Sequence, residues 1–184
     1  MSEPKKYIAA DAFLRDSWRL ASAVRDSGWK PDFLIALWRG GAAAGVAVHE
    51  FLKASGWDMR HLPLKCASYS GIGKTTGRVD FTLGDETFSL VKPGERVLVV
   101  DDVYDTGATA SAVRERLGAA GAEARVACVY WKSGVPSAAG RPDYFAVDAG
   151  SSWIVFPHEI DGLTAGELRE KDAELADMMG ECIH

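Results

Sequence analysis

The chain has 184 residues, enough for one domain of ordinary size to bury its own core, so a single domain over 1–184 is expected. Its 47% hydrophobic and 26% charged composition is that of a globular protein, and a net charge of −5 excludes the broad basic face that nucleic-acid binding requires. Cys66, Cys128 and Cys182 show no CxxC spacing, which excludes a zinc or dithiol centre and fits a reducing cytoplasm; no apolar run approaches the ~18 residues of a membrane helix, so neither membrane insertion nor secretion is expected.

Residues 10–27 carry Phe13, Leu14, Trp18, Leu20, Ala21 and Val24 at helical spacing, with Gly28 as the stop. Phe33 to Trp38, FLIALW, is a continuous apolar run that predicts a strand buried on both faces, ending at Arg39, Gly40 and Gly41. A helix over 42–54 and a strand over 61–66 follow, and this order implies a parallel sheet. Residues 67–88 lose periodicity and carry Gly71, Gly73, Gly77 and Gly84, the composition of a long mobile loop or hairpin.

Val97 to Val100, VLVV, is the clearest buried strand, followed by a helix over 107–118 and strands over 124–131 and 144–147. The stretch SSWIVFPHEIDG reads as irregular. Residues 164–179 read as one closing helix, with Thr164 as N-cap and Glu167 completing a capping box. Together these elements predict an α/β fold: a mostly parallel central sheet flanked by helices, with no internal repeat.

Chemistry concentrates where VLVV empties into Asp101, Asp102, Val103, Tyr104, Asp105, Thr106, Gly107, Ala108 and Thr109. A buried strand ending in a small-residue turn at a helix N-terminus aims orphan N–H groups and the positive end of the helix dipole at an anion, which suits a phosphate. Thr106 and Thr109 add hydroxyls, and Gly107 allows close approach of the backbone. Two adjacent acids at a strand's carboxyl end point to a cation or sugar hydroxyls as partners; the plainer reading makes one of them a helix cap. Trp38-Arg39-Gly40-Gly41 forms a second anion-competent helix start, although taken alone it also fits a tight turn with a solvated arginine.

The segment VVDDVYDTGATA resembles the signature of type I phosphoribosyltransferases, and the whole of the chain from Lys6 to about Glu159 is most similar to their purine branch, the bacterial xanthine-guanine and hypoxanthine-guanine enzymes. The resemblance implies that phosphoribosyl pyrophosphate (PRPP) binds with its 5′-phosphate on Asp105, Thr106, Gly107, Ala108 and Thr109. It makes Asp101 and Asp102 the holders of the ribose hydroxyls and of Mg2+, and Asp105 the catalytic acceptor of a proton from purine N7. Ala108 stands where a second glycine is common in that branch.

By the same resemblance Arg39, Gly40, Ser68 and Tyr69 meet the pyrophosphate, the Trp38–Arg39 peptide is cis when ligand is bound, and Glu159 reaches a second magnesium through water. Lys132, Trp153 and Ile154 take the base, Lys132 by donating to its 6-oxo group and Trp153 by stacking. Val155 and Phe156 replace polar residues, which is expected to cost xanthine partners for its 2-oxo group. His158 receives no role. A hood is expected from about 1–10 and 148–162.

The implied function is transfer of the phosphoribosyl group to N9 of a 6-oxopurine in purine salvage, by a cytoplasmic homo-oligomer, dimer or tetramer, that binds no nucleic acid. The alternatives are a PRPP-sensing regulator and a transferase for another base.

Overall fold

The computed structural model describes residues 5–71, 74–80, 84–137 and 140–180, with side chains for 5–66, 86–137 and 140–180. Five strands form the central sheet: β2 (Phe33–Trp38), β3 (Arg60–Lys65), β6 (Arg96–Tyr104), β7 (Glu123–Trp131) and β8 (Tyr144–Asp148). Their order is β3-β2-β6-β7-β8 and every pairing is parallel. Apolar runs form the inner strands β2, β6 and β7 because helices cover both faces, whereas the edge strand β3, RHLPLK, is mostly exposed.

The faces divide by alternate residues. Leu34, Ala36, Leu98, Val100, Ala127 and Val129 pack with Phe13, Leu20 and Val24 of α1 (Ala10–Asp26) and with Ala44, Val48 and Leu52 of α2 (Gly40–Ala54). Phe33, Ile35, Leu37, Val97, Val99, Val126 and Cys128 pack instead with Phe88 of α3 (Gly84–Ser89) and Ala110, Val113 and Leu117 of α4 (Ala108–Ala119).

Chain order reverses between β2 and β6, so a crevice opens at their carboxyl ends, where α/β sheets bind ligands. Both glycine turns singled out in the sequence flank that crevice. The predicted strand VLVV continues further, to Tyr104, because β7 pairs with it as far as Tyr104↔Trp131 while β2 stops at Val100. Asp101 to Tyr104 therefore overhang β2.

β4 (Ala67–Gly71) pairs antiparallel with β5 (Lys74–Asp80), and the register shifts between Ser68 and Ser70. β1 (Lys5–Tyr7) pairs in parallel with β9 (Trp153–Val155), so a stretch that reads as irregular contains a strand. The predicted closing helix is two: α5 (Ala165–Lys171) and α6 (Ala173–Met179), separated by Asp172 in extended backbone at φ −161°. Asp172 breaks the helix because its carboxylate accepts the Leu175 N–H and starts α6 afresh. Lys171, just before the break, donates to the carbonyls of Phe156 and Glu159. The capping box of Thr164 and Glu167 is present. No described helix is long and apolar enough to cross a membrane.

Candidate active site

The end of β2 and the overhang of β6 meet at the crevice with almost no space between them. The Trp38–Arg39 peptide bond is cis, and α2 begins at Gly40. A Cβ on Gly41 would stand 2.5 Å from the Val100 carbonyl oxygen and 2.9 Å from Asp101 Cα, so the turn sits directly against the acidic pair. Glycine is required there by close approach, with no positive φ involved.

Asp102 is 7% exposed. Its Oδ1 accepts the Val103 N–H at 2.8 Å, and its Oδ2 lies 3.2 Å from His158 Nε2. Asp101 accepts the Asp102 N–H at 3.0 Å. Burial of its carboxyl, then the adjacent Asp102 charge, pushes Asp101 well above the usual carboxylate range. Neither acid caps a helix; the cap of α4 is Gly107, left-handed at φ 75°, with no side-chain cap bond.

A cation would relieve the repulsion in this pair. Magnesium is commonly held by one or two carboxylates plus substrate phosphates, and Asp101 with Asp102 is a donor set of that kind. Among the described residues no group of three or more His, Cys, Asp or Glu is placed to hold a metal, so the remaining ligands would come from the substrate and water. Glu159 lines the same cavity, but its Oε2 accepts the Phe156 N–H at 3.0 Å and so braces its own turn. That cavity, about 490 Å³, is walled by Trp38, Arg39, Gly40, Asp102, His158 and Glu159.

The second half of the site lies past the overhang. The turn at Asp105, Thr106 and Ala108 is exposed, Gly107 is buried and Thr109 partly so. Thr106 Oγ1 accepts the Ala108 N–H at 3.4 Å, and the Thr106 carbonyl accepts from Ser137 Oγ at 2.6 Å. Lys132, following β7, donates to Asp105 Oδ2 at 3.0 Å and lies 5.8 Å from the centre of the Trp153 ring. Trp153 is 58% exposed.

The structure brings together Arg39, Gly40, Asp101 and Asp102 on one side, and Asp105, Lys132 and Trp153 on the other. Ile154 is buried, with its backbone in β9. Ser68 and Tyr69 belong to β4, and their side chains lie outside the described residues. The expectation for Val155 and Phe156 needs correction. Both are 2% exposed and packed in the core, Phe156 edge-on to Phe13 at 5.7 Å and Tyr130 at 5.6 Å, so neither side chain fronts a bound base. A polar side chain at either place would be buried as well. His158, to which the sequence assigns no role, meets Asp102 from the turn after β9, a contact that no local pattern reveals.

The phosphoribosyl transferase domain model matches residues 5–161. Among solved structures, the purine phosphoribosyltransferase of Pyrococcus horikoshii is 29% identical, over 87% of this chain and 97% of its own, with a TM-score of 0.68. A hypothetical protein from Neisseria gonorrhoeae with bound ppGpp is 22% identical over 95% and 99%, with a TM-score of 0.74. The Helicobacter pylori xanthine-guanine-hypoxanthine phosphoribosyltransferase is 20% identical over 84% and 92%, with a TM-score of 0.59. With a family model spanning β1, β9, both glycine turns and the acidic overhang, the chain belongs to the phosphoribosyl transferase domain family.

Proposed function

We propose that this phosphoribosyltransferase moves the 5-phosphoribosyl group of PRPP to N9 of a 6-oxopurine, releasing pyrophosphate and forming the nucleoside monophosphate. One observation carries the choice of base. Lys132 Nζ and Asp105 Oδ2 lie 3.0 Å apart beside the exposed Trp153 ring, which sets a donor next to an acceptor at one edge of a stacking platform. A 6-oxopurine with its proton on N7 presents the matching pair, an acceptor at the 6-oxo group and a donor at N7. Adenine would set an amino donor against the ammonium.

In this reading the 5′-phosphate rests on Asp105 to Thr109 at the start of α4, and the ribose hydroxyls on Asp101 and Asp102. The pyrophosphate lies in the cavity beside Arg39 and Gly40, with Ser68 and Tyr69 of the hairpin closing over it to exclude water. Asp101 and Asp102 would hold magnesium, which would supply charge neutralisation for the leaving pyrophosphate. As purine N9 bonds to the ribose C1′ and the bond from C1′ to the pyrophosphate oxygen breaks, Asp105 accepts the N7 proton. Lys132 holds the 6-oxo group and Trp153 fixes the ring plane, so orientation and electrostatics carry most of the rate.

The test is steady-state turnover with PRPP, magnesium and, in turn, hypoxanthine, guanine, xanthine, adenine and uracil. Turnover with a 6-oxopurine and none with adenine or uracil is expected. Turnover with adenine alone would overturn the role of Lys132, and binding of PRPP with no turnover of any base would make the protein a sensor of that sugar.

A further inference from the structure

His158 takes no part in the reaction as proposed, yet its surroundings are built. The imidazole stacks on Phe156 with ring centres 5.5 Å apart and planes at 9°, and Phe13 meets it at 5.7 Å and 66°. Phe13 and Phe156 are both buried, so the ring is fixed from the core side. The backbone of the turn is fixed as well: Glu159 Oε2 accepts the Phe156 N–H at 3.0 Å, and Lys171 Nζ donates to the Phe156 carbonyl at 2.7 Å and to the Glu159 carbonyl. A ring held this way has little freedom left to lose when it makes one further contact.

That contact is Nε2 to Asp102 Oδ2, at 3.2 Å, between side chains 28% and 10% exposed. The other carboxylate oxygen is taken by the Val103 N–H, and the whole group lies against Gly40. Asp102 is thus held at both oxygens, once by its own strand and once by the hood.

We propose that His158 is a positioning residue. It holds the Asp102 carboxylate in place against Gly40 and so ties the hood, whose strand β9 carries Trp153, to the turn that receives the pyrophosphate. This rests on reading the cavity at Arg39 as the pyrophosphate half of the site. Its consequence is preorganisation: PRPP meets a carboxylate already set, and the ends that grip base and pyrophosphate are mechanically joined. Loss of the contact weakens binding of PRPP more than it slows the bonded complex.

The experiment uses the full chain with His158→Phe, which keeps the stacking and removes the donor, and His158→Gln, which restores a donor at a similar reach. His158→Phe is expected to raise KM for PRPP about tenfold, the loss of one close polar contact to the Asp102 carboxylate, with kcat changed less than about threefold. His158→Gln is expected to recover most of the affinity. An unchanged KM in His158→Phe overturns the proposal, and equal impairment of both variants assigns the residue to packing alone.

A thermal double-mutant cycle of His158→Phe with Asp102→Ala reads the contact without any substrate. Shifts in Tm that fail to add are expected, and additive shifts overturn the contact. If the wild type turns over no base, the proposed reaction fails while the cycle still decides on His158.

Discussion

Gly40 packs against Asp102 so closely that a Cβ at Gly40 would stand 1.7 Å from Asp102 Oδ2 and 2.3 Å from its Cγ. The turn that ends β2 and the acid that overhangs it are therefore one unit, and the hydrogen of a glycine is what lets the carboxylate stay where it is. Gly40→Ala has to push a side chain aside; Gly41→Ala has to push the backbone at Val100 and Asp101, which is braced in β6.

Gly41→Ala is accordingly expected to cost about 1–3 kcal/mol of stability by overpacking. Gly40→Ala should cost less stability but raise KM for PRPP, because Asp102 moves. Gly118→Ala, in α4 with nothing within 4 Å of the new Cβ, should be neutral or stabilising by about 0.4–1 kcal/mol. Denaturant melts of the three variants check the order, and a Gly41→Ala protein as stable as Gly118→Ala would show that the two strands yield there.

Asp105 and Lys132 divide the work on the base if the proposed reaction holds. Asp105→Asn leaves a side chain of the same size that cannot take a proton, so kcat should fall ~10²–10⁴-fold with the dissociation constant for PRPP nearly unchanged. Lys132→Met should lower kcat/KM for the 6-oxopurine by about 1.5–3 kcal/mol in activation free energy, and should lessen the rejection of adenine. Single-turnover rates and PRPP titration separate the two. Equal losses in rate and in sugar binding for Asp105→Asn would remove its proton-transfer role.

The centre of the sheet was legible because FLIALW and VLVV are buried on both faces and so read as continuous apolar strands between turns. The phosphate turn was legible for the same reason: strand, turn and helix start are adjacent in the chain. What stayed hidden is non-local. β1 and β9 are three residues each, too short for periodicity, and exist because they pair with one another. The overhang Asp101 to Tyr104 reads as a polar break, yet it is strand because Cys128 to Trp131 lie beside it. Asp172 sits within a good helical pattern, where the extended backbone at that residue and its cap on Leu175 override propensity. The joins of the site, Gly40 with Asp102, His158 with Asp102 and Lys132 with Asp105, each connect segments that no spacing rule relates.

The thiols near the acids should be quiet. Burial, and then the Asp101 charge, pushes the Cys66 thiol from 9.0 up to about 12, and burial raises the Cys128 thiol too. Since the thiolate is the reactive form, iodoacetamide at pH 8 should leave both unmodified in the native protein and label both after unfolding. Rapid native labelling of Cys66, located by peptide mapping, would mean that the end of β3 opens readily.

The contact between β1 and α5 carries its own dependence on pH. Lys5 Nζ lies 2.5 Å from Glu167 Oε1 and ties β1 to the start of α5. The hydrogen bond from Lys5, followed by those from the Thr164 N–H and hydroxyl, lowers the Glu167 carboxyl from 4.5 to about 2, while the Lys5 ammonium is raised above 10.5. A depressed carboxylate contributes stability in full above its unfolded value and loses it as pH falls through the folded one; a raised ammonium contributes in full below 10.5 and loses it as pH climbs beyond. The latch should therefore be constant from about pH 5 to 10 and fade between 4.5 and 2. Tm of the wild type minus that of Glu167→Gln should follow this course, and should shrink in high salt because both side chains are partly exposed. A difference that persists unchanged at pH 2 would place the stabilisation in the helix cap and take it away from the ion pair.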